Sequence, residues 1–274
     1  MSDQTQPGQS YQTKLTPASL AKMRAEGMKI SMMTAYDYMS ARLLDQAGID
    51  VLLVGDSLGM VVQGKENTLP VTLEEMIYHT EMVARGAKRA IVIADLPFPV
   101  VQLGVESALR ASVEIIKRTR ATGVKVEGGE KRVPIIRALL DAGIPVMGHC
   151  GLLPQDIRRL GKYKIQRDVE MLRRDVNAVA DTGVMAIVLE CVTADLAGKL
   201  TRESSVPTIG IGSGNLCDGQ VLVFHDMLGY NDPEARLPKH ARRYARLGEI
   251  ITEAARQYIA DVRAGSFPGS EESF

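Results

Sequence analysis

The chain has 274 residues, and its 33 Lys and Arg balance its 33 Asp and Glu, so the formal net charge is zero. A chain of this length can form one large domain or two smaller ones, and a neutral chain lacks the basic surface that binds nucleic acids or anionic membranes. We therefore expect no nucleic-acid and no membrane partner, and no apolar run approaches the ~20 residues that cross a bilayer. Three scattered cysteines without a C-x-x-C pair, and a polar start without a signal-peptide pattern, predict a reduced, cytoplasmic protein.

Short apolar runs and helical patterns alternate along the chain after a polar N-terminal arm over residues 1–14, which we expect to be disordered. Thr16 and Pro17 are typical of a helix start and Gly27 of a helix end, which predicts a short N-terminal helix. Eight strands are predicted from the apolar runs that follow, at 29–34, 50–54, 90–94, 123–126, 144–148, 186–189, 207–210 and 221–224.

Helical patterns occupy most of the intervals between these runs, and Thr72-x-x-Glu75 is a capping box at the start of one of them. The segment SGNLCDGQ between the seventh and eighth runs is too short for a full helix. A long amphipathic helix is predicted over Lys239–Val262, followed by a flexible tail over residues 265–274. The other helices are predicted at 40–46, 72–85, 106–120, 130–141, 168–181 and 194–203.

Eight successive β/α units without a Pro- or Ser-rich linker predict an α/β fold, a closed (β/α)₈ TIM barrel that forms a single domain over residues 15–264. The alternative is a doubly wound open sheet. It is disfavoured because no G-x-G-x-x-G follows the first run and because an open sheet seldom needs eight evenly spread strands. In a barrel, catalytic groups lie at the carboxyl ends of the strands.

Polar side chains stand at the ends of six consecutive predicted strands, and four of them are carboxylates. In chain order they are Asp56, Ser57, Asp95, Lys125, Glu127, His149, Glu190 and Ser213. A single aspartate at a strand end can be a helix cap, but converging carboxylates must be neutralised by protonation, by a lysine or by a divalent cation. Oxygen ligands without His or Cys pairs favour Mg²⁺ over zinc.

Asp56 and Asp95 are the predicted metal ligands, and Glu127 is a third carboxylate that binds directly or through a metal-bound water. Lys125 and Glu127 are two residues apart on a strand and therefore face the same way. Lys125 can bind a substrate carboxylate or carbonyl. An ion pair that fills the top of the barrel is the structural alternative, and a Schiff base is less favoured because it does not need the carboxylates.

Glu190 ends a strongly apolar strand, and such surroundings disfavour its charged form and make it a candidate general base. His149 is either a substrate-pocket residue or a hydrogen-bonded structural histidine, and His79 and His225 remain unassigned. Ser213 lies in a Gly-rich turn that either binds an anion or is only a tight turn. A metal, a lysine and a glutamate base suit enolate chemistry on a 2-oxo acid, with the electrophile undefined.

Cys150 and Cys191 neighbour the predicted site, and their apolar flanks indicate small buried residues. The sequence offers no stacking platform for a folate, since only 4% of the residues are aromatic and none is Trp. It also leaves the metal open among Mg²⁺, Mn²⁺ and Co²⁺.

Eight segments, spread in order over most of residues 29–230, resemble the ketopantoate hydroxymethyltransferase family. They are TAYDY, VGDSLGMVVQG, TLPVTLEEM, ADLPF, VKVEGG, GHCGLLPQ, LECV and GIGSGNLCDGQVLV. Departures from the family pattern at Cys150, Leu153 and Pro99 lie outside the predicted metal ligands.

This resemblance implies a (β/α)₈ barrel that uses Mg²⁺, acts through a Mg²⁺-stabilised enolate and assembles as a homodecamer. The implied reaction transfers a hydroxymethyl group from 5,10-methylenetetrahydrofolate to 3-methyl-2-oxobutanoate and gives 2-dehydropantoate, a step of pantothenate and coenzyme A biosynthesis. The resemblance also implies that the metal site consists of Asp56, Asp95 and Glu127. It implies a substrate site of Asp56, Ser57, Asp95, Lys125 and His149, with Glu190 as the proton acceptor.

Two other functions are alternatives for a barrel with this sequence, and a sequence feature disfavours each of them. The first is a metal-dependent C–C lyase or mutase of the phosphoenolpyruvate mutase and isocitrate lyase-like barrels, which share an acidic metal site. Those enzymes usually carry a reactive cysteine in a Gly-rich loop, and no K-K-C-G-H-like segment occurs here. The second is an inactive barrel that serves in binding or assembly, which the retention of four carboxylates disfavours.

Overall fold

Eight parallel strands close into a barrel in the computed structural model, which describes residues 13–161, 164–231 and 237–274. Strands that are consecutive in the chain are neighbours in the barrel. The prediction of a (β/α)₈ barrel is confirmed, and the open doubly wound sheet is wrong. The strands are β1 (Ile30–Thr34), β2 (Val51–Val54), β3 (Ile91–Asp95), β4 (Gly123–Glu127), β5 (Val146–Gly151), β6 (Ala186–Glu190), β7 (Thr208–Ile211) and β8 (Gly219–Leu222).

Helices separate most of these strands, and between β7 and β8 the structure has no helix, as the short SGNLCDGQ segment predicts. The predicted capping box is confirmed: Glu75 N donates to the Thr72 hydroxyl at 3.2 Å, and Thr72 N donates to the Glu75 carboxylate at 2.7 Å. The helices of the described residues are α1 (Pro17–Ala25), α2 (Tyr38–Gln46), α3 (Leu58–Val61), α4 (Leu73–Gly86), α5 (Val105–Arg118), α6 (Val133–Asp141), α7 (Ile157–Leu160), α8 (Val169–Ala180), α9 (Ala194–Glu203), α10 (Phe224–Leu228) and α11 (Leu247–Ala264).

The chain divides into two compact units, Met1–Val221 and Leu222–Phe274. The first unit contains the barrel with α1 to α9, and the second contains α10 and α11. The predicted domain limits at residues 15 and 264 stay predictions. Of the predicted N-terminal arm, residues 1–12 lie outside the described part of the chain.

The strands carry apolar side chains on both faces because one face lines the barrel and the other packs under the helices. The inner cluster contains Ile91 and Ile93 of β3 and Val188 of β6, whereas the alternate residues Ala94 and Leu189 belong to the outer cluster. Side chains alternate along a strand with a period of two, so the next inward positions are Asp95 and Glu190. The barrel interior therefore changes from apolar to charged at the carboxyl ends of its strands.

The C-terminal helix is shorter than predicted, because α11 begins at Leu247 and not at Lys239. Within the second unit, Tyr244 N donates to Met227 O at 2.8 Å, and Gly248 N donates to Gly229 O at 2.9 Å. In a helix that began at Lys239, Tyr244 N would donate to the carbonyl four residues earlier, but it bonds to the segment around α10, and Gly248 N uses the same segment to satisfy the first turn of α11. This is a tertiary effect that periodicity does not reveal. In the described part of the chain, no helix is both long and apolar enough to span a membrane.

Candidate active site and metal centre

The parallel register brings the predicted site residues together at one end of the barrel. Asp95 at the end of β3 pairs with Lys125 of β4, and Glu127 at the end of β4 pairs with His149 of β5. One strand further, Glu190 at the end of β6 pairs with Gly151. Neighbouring strands lie about 4.8 Å apart, so the polar side chains at adjacent strand ends lie within contact distance of one another.

Asp56, Asp95 and Glu127 form a buried acidic triad, in which one oxygen from each carboxylate lies within 4.8 Å of the others. Asp56 lies two residues after the end of β2, while Asp95 and Glu127 are the last residues of their strands. Each of the three is at most 4% exposed. The three predicted ligands thus converge on a single point.

Lys125 is the cation of this cluster. Its Nζ lies 2.8 Å from Oδ1 of Asp95 and 3.5 Å from Oε1 of Glu127. Burial by itself lowers the pKa of Lys125, but the adjacent carboxylates, Asp95 foremost, raise that pKa above its ordinary value. A Schiff base requires a neutral amine, so the geometry favours a permanent cation over a nucleophile.

The triad carries more negative charge than Lys125 can neutralise. Burial, and then the charges of Asp95 and Glu127, raise the pKa of Asp56 well above its ordinary value. Burial also raises the pKa of Glu127 to about 7, although Lys125 acts to lower it. Three convergent carboxylates in a buried pocket are oxygen donors of the kind a hard divalent cation binds, and such a cation would allow all of them to ionise. The residues present therefore fit a divalent metal ion.

His149 connects Lys125 to Glu190. Its Nδ1 lies 3.0 Å from Nζ of Lys125, and its Nε2 lies 3.3 Å from Oε2 of Glu190. Burial, and next the charge of Lys125, lowers the pKa of His149 well below its ordinary value, so the ring is neutral. An ammonium group can only donate hydrogen bonds, so Nδ1 accepts from Lys125, and the proton of the neutral ring is then on Nε2. The side chain of Glu190 is 18% exposed, which leaves it open to the mouth of the barrel.

Ser213 holds the backbone on both sides of Glu190. Its hydroxyl donates to Leu189 O at 2.7 Å and accepts from Val192 N at 3.1 Å. Between these contacts, Cys191 has a left-handed backbone with φ of 50°, which is unusual for a residue with a side chain. Of the two interpretations of the Gly-rich turn, the geometry supports the tight turn.

The two cysteines beside the site differ in burial. Cys191 is only partly buried, contrary to the prediction for it, while Cys150 is fully buried as predicted.

Ser57 lies beside the triad and contacts Tyr36, with 2.9 Å between the two hydroxyl oxygens. Nδ1 of His79 lies 2.6 Å from the carbonyl oxygen of Tyr36, so His79 fixes the backbone that carries this tyrosine. In the second unit, His225 stacks on Tyr230 with ring centroids 5.1 Å apart. The two histidines that the sequence left unassigned therefore have structural contacts.

Gln155 is the residue of this site that the sequence did not single out. It lies in a 3₁₀ turn, Pro154–Asp156, after β5, and is 5% exposed. Its side-chain nitrogen donates to Asp56 Oδ2 at 3.0 Å, and its backbone N donates to Glu127 Oε2 at 3.2 Å. A neutral amide beyond the strand end has no charge signal, and its position within GHCGLLPQ was the only indication in the sequence.

The fold and the site together define a (β/α)₈-barrel enzyme whose acidic triad can bind a metal ion. The sequence model of the ketopantoate hydroxymethyltransferase family matches residues 14–270. The chain belongs to this family. Membership makes it an enzyme of the transferase class, as the resemblance of its motifs implies.

Two curated relatives are similar over nearly their whole length. The 3-methyl-2-oxobutanoate hydroxymethyltransferase of Trichlorobacter lovleyi is 48% identical over 264 residues, which is 95% of this chain and 98% of the relative. The enzyme of the same name from Carboxydothermus hydrogenoformans is 49% identical over 265 residues, 95% of each chain. Among solved structures, phosphoenolpyruvate phosphomutase from Streptomyces platensis subsp. rosaceus has a TM-score of 0.61 at 13% identity, covering 92% of this chain and 88% of that one. This last similarity shows the fold alone.

Proposed function

We propose that the protein transfers a hydroxymethyl group from 5,10-methylenetetrahydrofolate to 3-methyl-2-oxobutanoate and forms 2-dehydropantoate, a step of pantothenate and coenzyme A biosynthesis. The observation that carries this proposal is the convergence of a buried acidic triad, one lysine and one partly exposed glutamate at the mouth of the barrel. The names of relatives about 48% identical to the chain support the choice of substrates.

Asp56 and Asp95, with Glu127 bound directly or through water, would hold Mg²⁺. When bound there, the ion supplies Lewis-acid stabilisation of negative charge on the substrate's keto oxygen. Lys125, at 2.8 Å from Asp95, adds positive charge for the carboxylate or carbonyl of the 2-oxo acid. Ser57 and His149 complete the proposed substrate site from the adjacent strand ends.

Glu190 would remove the proton from C3 of the oxo acid, the carbon next to the carbonyl. The neutral His149 ring lies beside this carboxylate, with 3.3 Å between Nε2 and Oε2 of Glu190, and adds no positive charge that would weaken Glu190 as a base. Water hydrolyses the methylene group of the folate, which breaks its two C–N bonds and releases tetrahydrofolate and formaldehyde. The enolate then forms a bond from C3 to the formaldehyde carbon, and the oxygen, which came from water, takes up the proton removed from C3 and becomes the hydroxyl group of the product. In this scheme the protein's residues bind and orient the acid and move one proton.

A proton NMR assay of 2-dehydropantoate formation tests the proposal, with the folate and Mg²⁺ each supplied or withheld. We expect product only with both present, and none from Asp95→Asn. Asp141→Asn, at an exposed position at the end of α6, is the matched control and should retain full activity. Product without Mg²⁺, or full activity of Asp95→Asn, would contradict the metal assignment.

The alternative lyase or mutase activity is supported here only by a shared fold at low identity. Incubation with a 2-hydroxy dicarboxylate distinguishes the two functions, since only a lyase of this kind cleaves it. The homodecamer and the cytoplasmic location remain predictions. Sedimentation velocity of the purified protein tests the homodecamer.

A further inference from the structure

Both side-chain polar atoms of Gln155 and its backbone N form hydrogen bonds at or beside the site. The side-chain nitrogen donates to Asp56 Oδ2 at 3.0 Å and to Leu96 O at 2.9 Å. The side-chain oxygen accepts from Gln102 Nε2 at 3.1 Å. The backbone N donates to Glu127 Oε2 at 3.2 Å. One neutral residue thus connects the ends of β2, β3 and β4, each of which supplies one carboxylate of the acidic triad.

These contacts fix the orientation of the amide. Asp56 Oδ2 as a carboxylate and Leu96 O are both acceptors, so the side-chain NH₂ must face them and use both of its hydrogens. The oxygen then faces Gln102, whose NH₂ donates to it. Rotating the amide by 180° would place an oxygen against two oxygens and an NH₂ against an NH₂. Gln155 therefore has a single orientation in which all of its contacts are satisfied.

The contact with Asp56 sets which oxygen of that carboxylate is available for a metal ion. A carboxylate in a buried pocket can rotate about its last torsion, and a hydrogen bond from outside the metal site restricts that rotation. Gln155 holds Oδ2, which leaves Oδ1 as the oxygen without that restraint. Because the amide is neutral, it orients the ligand and leaves the charge of the site unchanged.

We propose that Gln155 is a positioning residue, which orients Asp56 through its side chain and Glu127 through its backbone N for metal binding, while Gln102 holds Gln155 in place. This inference rests on the proposed function, because it takes the acidic triad as the metal site. Removal of a group that orients a metal ligand typically weakens metal binding about 10- to 100-fold. A residue that only fills space would have no such effect on affinity.

The test uses the full-length protein freed of metal with EDTA and titrated with Mn²⁺, the free ion being followed by electron paramagnetic resonance. Gln155→Met keeps the length and volume of the side chain and the backbone N donor, and removes only the side-chain hydrogen bonds. Gln46→Met, at an exposed position at the end of α2, makes the same chemical change away from the site. Gln102→Met removes the donor to Gln155 and leaves Gln155 itself intact. Asp95→Asn serves as the variant without a complete triad.

We expect Gln155→Met to bind Mn²⁺ about 10- to 100-fold more weakly than the unsubstituted chain, Gln102→Met to show a smaller loss, and Gln46→Met to show none. If Gln155→Met binds Mn²⁺ as tightly as the unsubstituted chain, even with a lower urea midpoint, the positioning role is refuted while the proposed function stands. If the unsubstituted chain binds no Mn²⁺, or if Asp95→Asn binds it equally well, the metal site itself is refuted. Should Gln155→Met fail to fold, Gln102→Met decides: weaker binding supports the positioning role, and unchanged binding refutes it.

Discussion

Replacement of Lys125 by Met should destabilise the metal-free protein in a way that depends on pH. The substitution keeps most of the buried aliphatic chain and removes the cation that lies 2.8 Å from Asp95 and 3.5 Å from Glu127. In an effective dielectric constant of about 20, these distances correspond to attractions of about 6 and about 5 kcal/mol. The burial of the ammonium group offsets several kcal/mol of this, and breaking a buried pair typically costs about 3–5 kcal/mol.

The expected loss at pH 7.5 is therefore about 3–5 kcal/mol in free energy of unfolding. At pH 5 the loss should be smaller, because protonation of the carboxylates then removes the uncompensated charge. Lys125 acts to lower the pKa of Glu127, so without Lys125 the folded-state pKa of Glu127, already raised to about 7 by burial, rises further above its unfolded value. A group with a raised folded pKa favours the folded state below its unfolded pKa, and this contribution is lost as the pH rises through the folded pKa.

Urea denaturation at both pH values and a fixed protein concentration, in EDTA, measures the effect. Lys117→Met on the exposed face of α5 is the matched control and should shift the midpoint little. Addition of Mg²⁺ should recover part of the stability that Lys125→Met loses. An equal loss at pH 5 and pH 7.5, with no recovery on adding Mg²⁺, would show that Lys125 acts through packing and would refute the electrostatic account of the site.

Three other predictions concern residues at the site or beside it. A Cβ at Gly129 would lie 2.0 Å from Cγ and 2.3 Å from Cβ of Asp175, so Gly129→Ala should lower the urea midpoint, by about 1–3 kcal/mol in stability. The same substitution should cost less in an Asp175→Gly background, which removes both atoms; an equal loss in the two backgrounds would refute the clash. Ser213→Ala should lower kcat by a larger factor than it changes KM, because Ser213 holds the backbone around Glu190. An unchanged kcat in steady-state assays would contradict this. Because the pKa of Glu127 is raised to about 7, Mn²⁺ affinity should increase from pH 6 to pH 8 as the carboxylate deprotonates; a pH-independent dissociation constant would contradict it.

The strand ends were predictable from the sequence because parallel strands in a barrel have a fixed geometry. Once Asp95, Lys125 and Glu127 lie at the ends of consecutive strands, the register brings them together without further information. The amphipathic patterns and the capping box at Thr72 were equally local signals, and the structure confirms them. Site residues whose location is fixed by their position along a strand were therefore predictable from the order of residues in the sequence.

Contacts that depend on where a loop folds back were not predictable. Gln155 reaches Asp56 from a turn 99 residues later in the chain, and nothing in its local sequence distinguishes this amide from one on the surface. Ser213 looked like a possible anion site, yet its hydroxyl is used by the backbone of the preceding strand end. The start of α11 at Leu247 depends on backbone contacts within the second unit. In each case the deciding partner is distant in sequence.

Exchange of the C3 hydrogen of 3-methyl-2-oxobutanoate in deuterated water tests the proposed function at its first step, because it separates proton removal at Glu190 from transfer of the one-carbon unit. Proton NMR follows the exchange with Mg²⁺ present and folate absent. We expect exchange by the unsubstituted protein and loss of exchange by Glu190→Gln, with an unchanged urea midpoint for the variant. Undiminished exchange by Glu190→Gln, or exchange that does not depend on Mg²⁺, would contradict it.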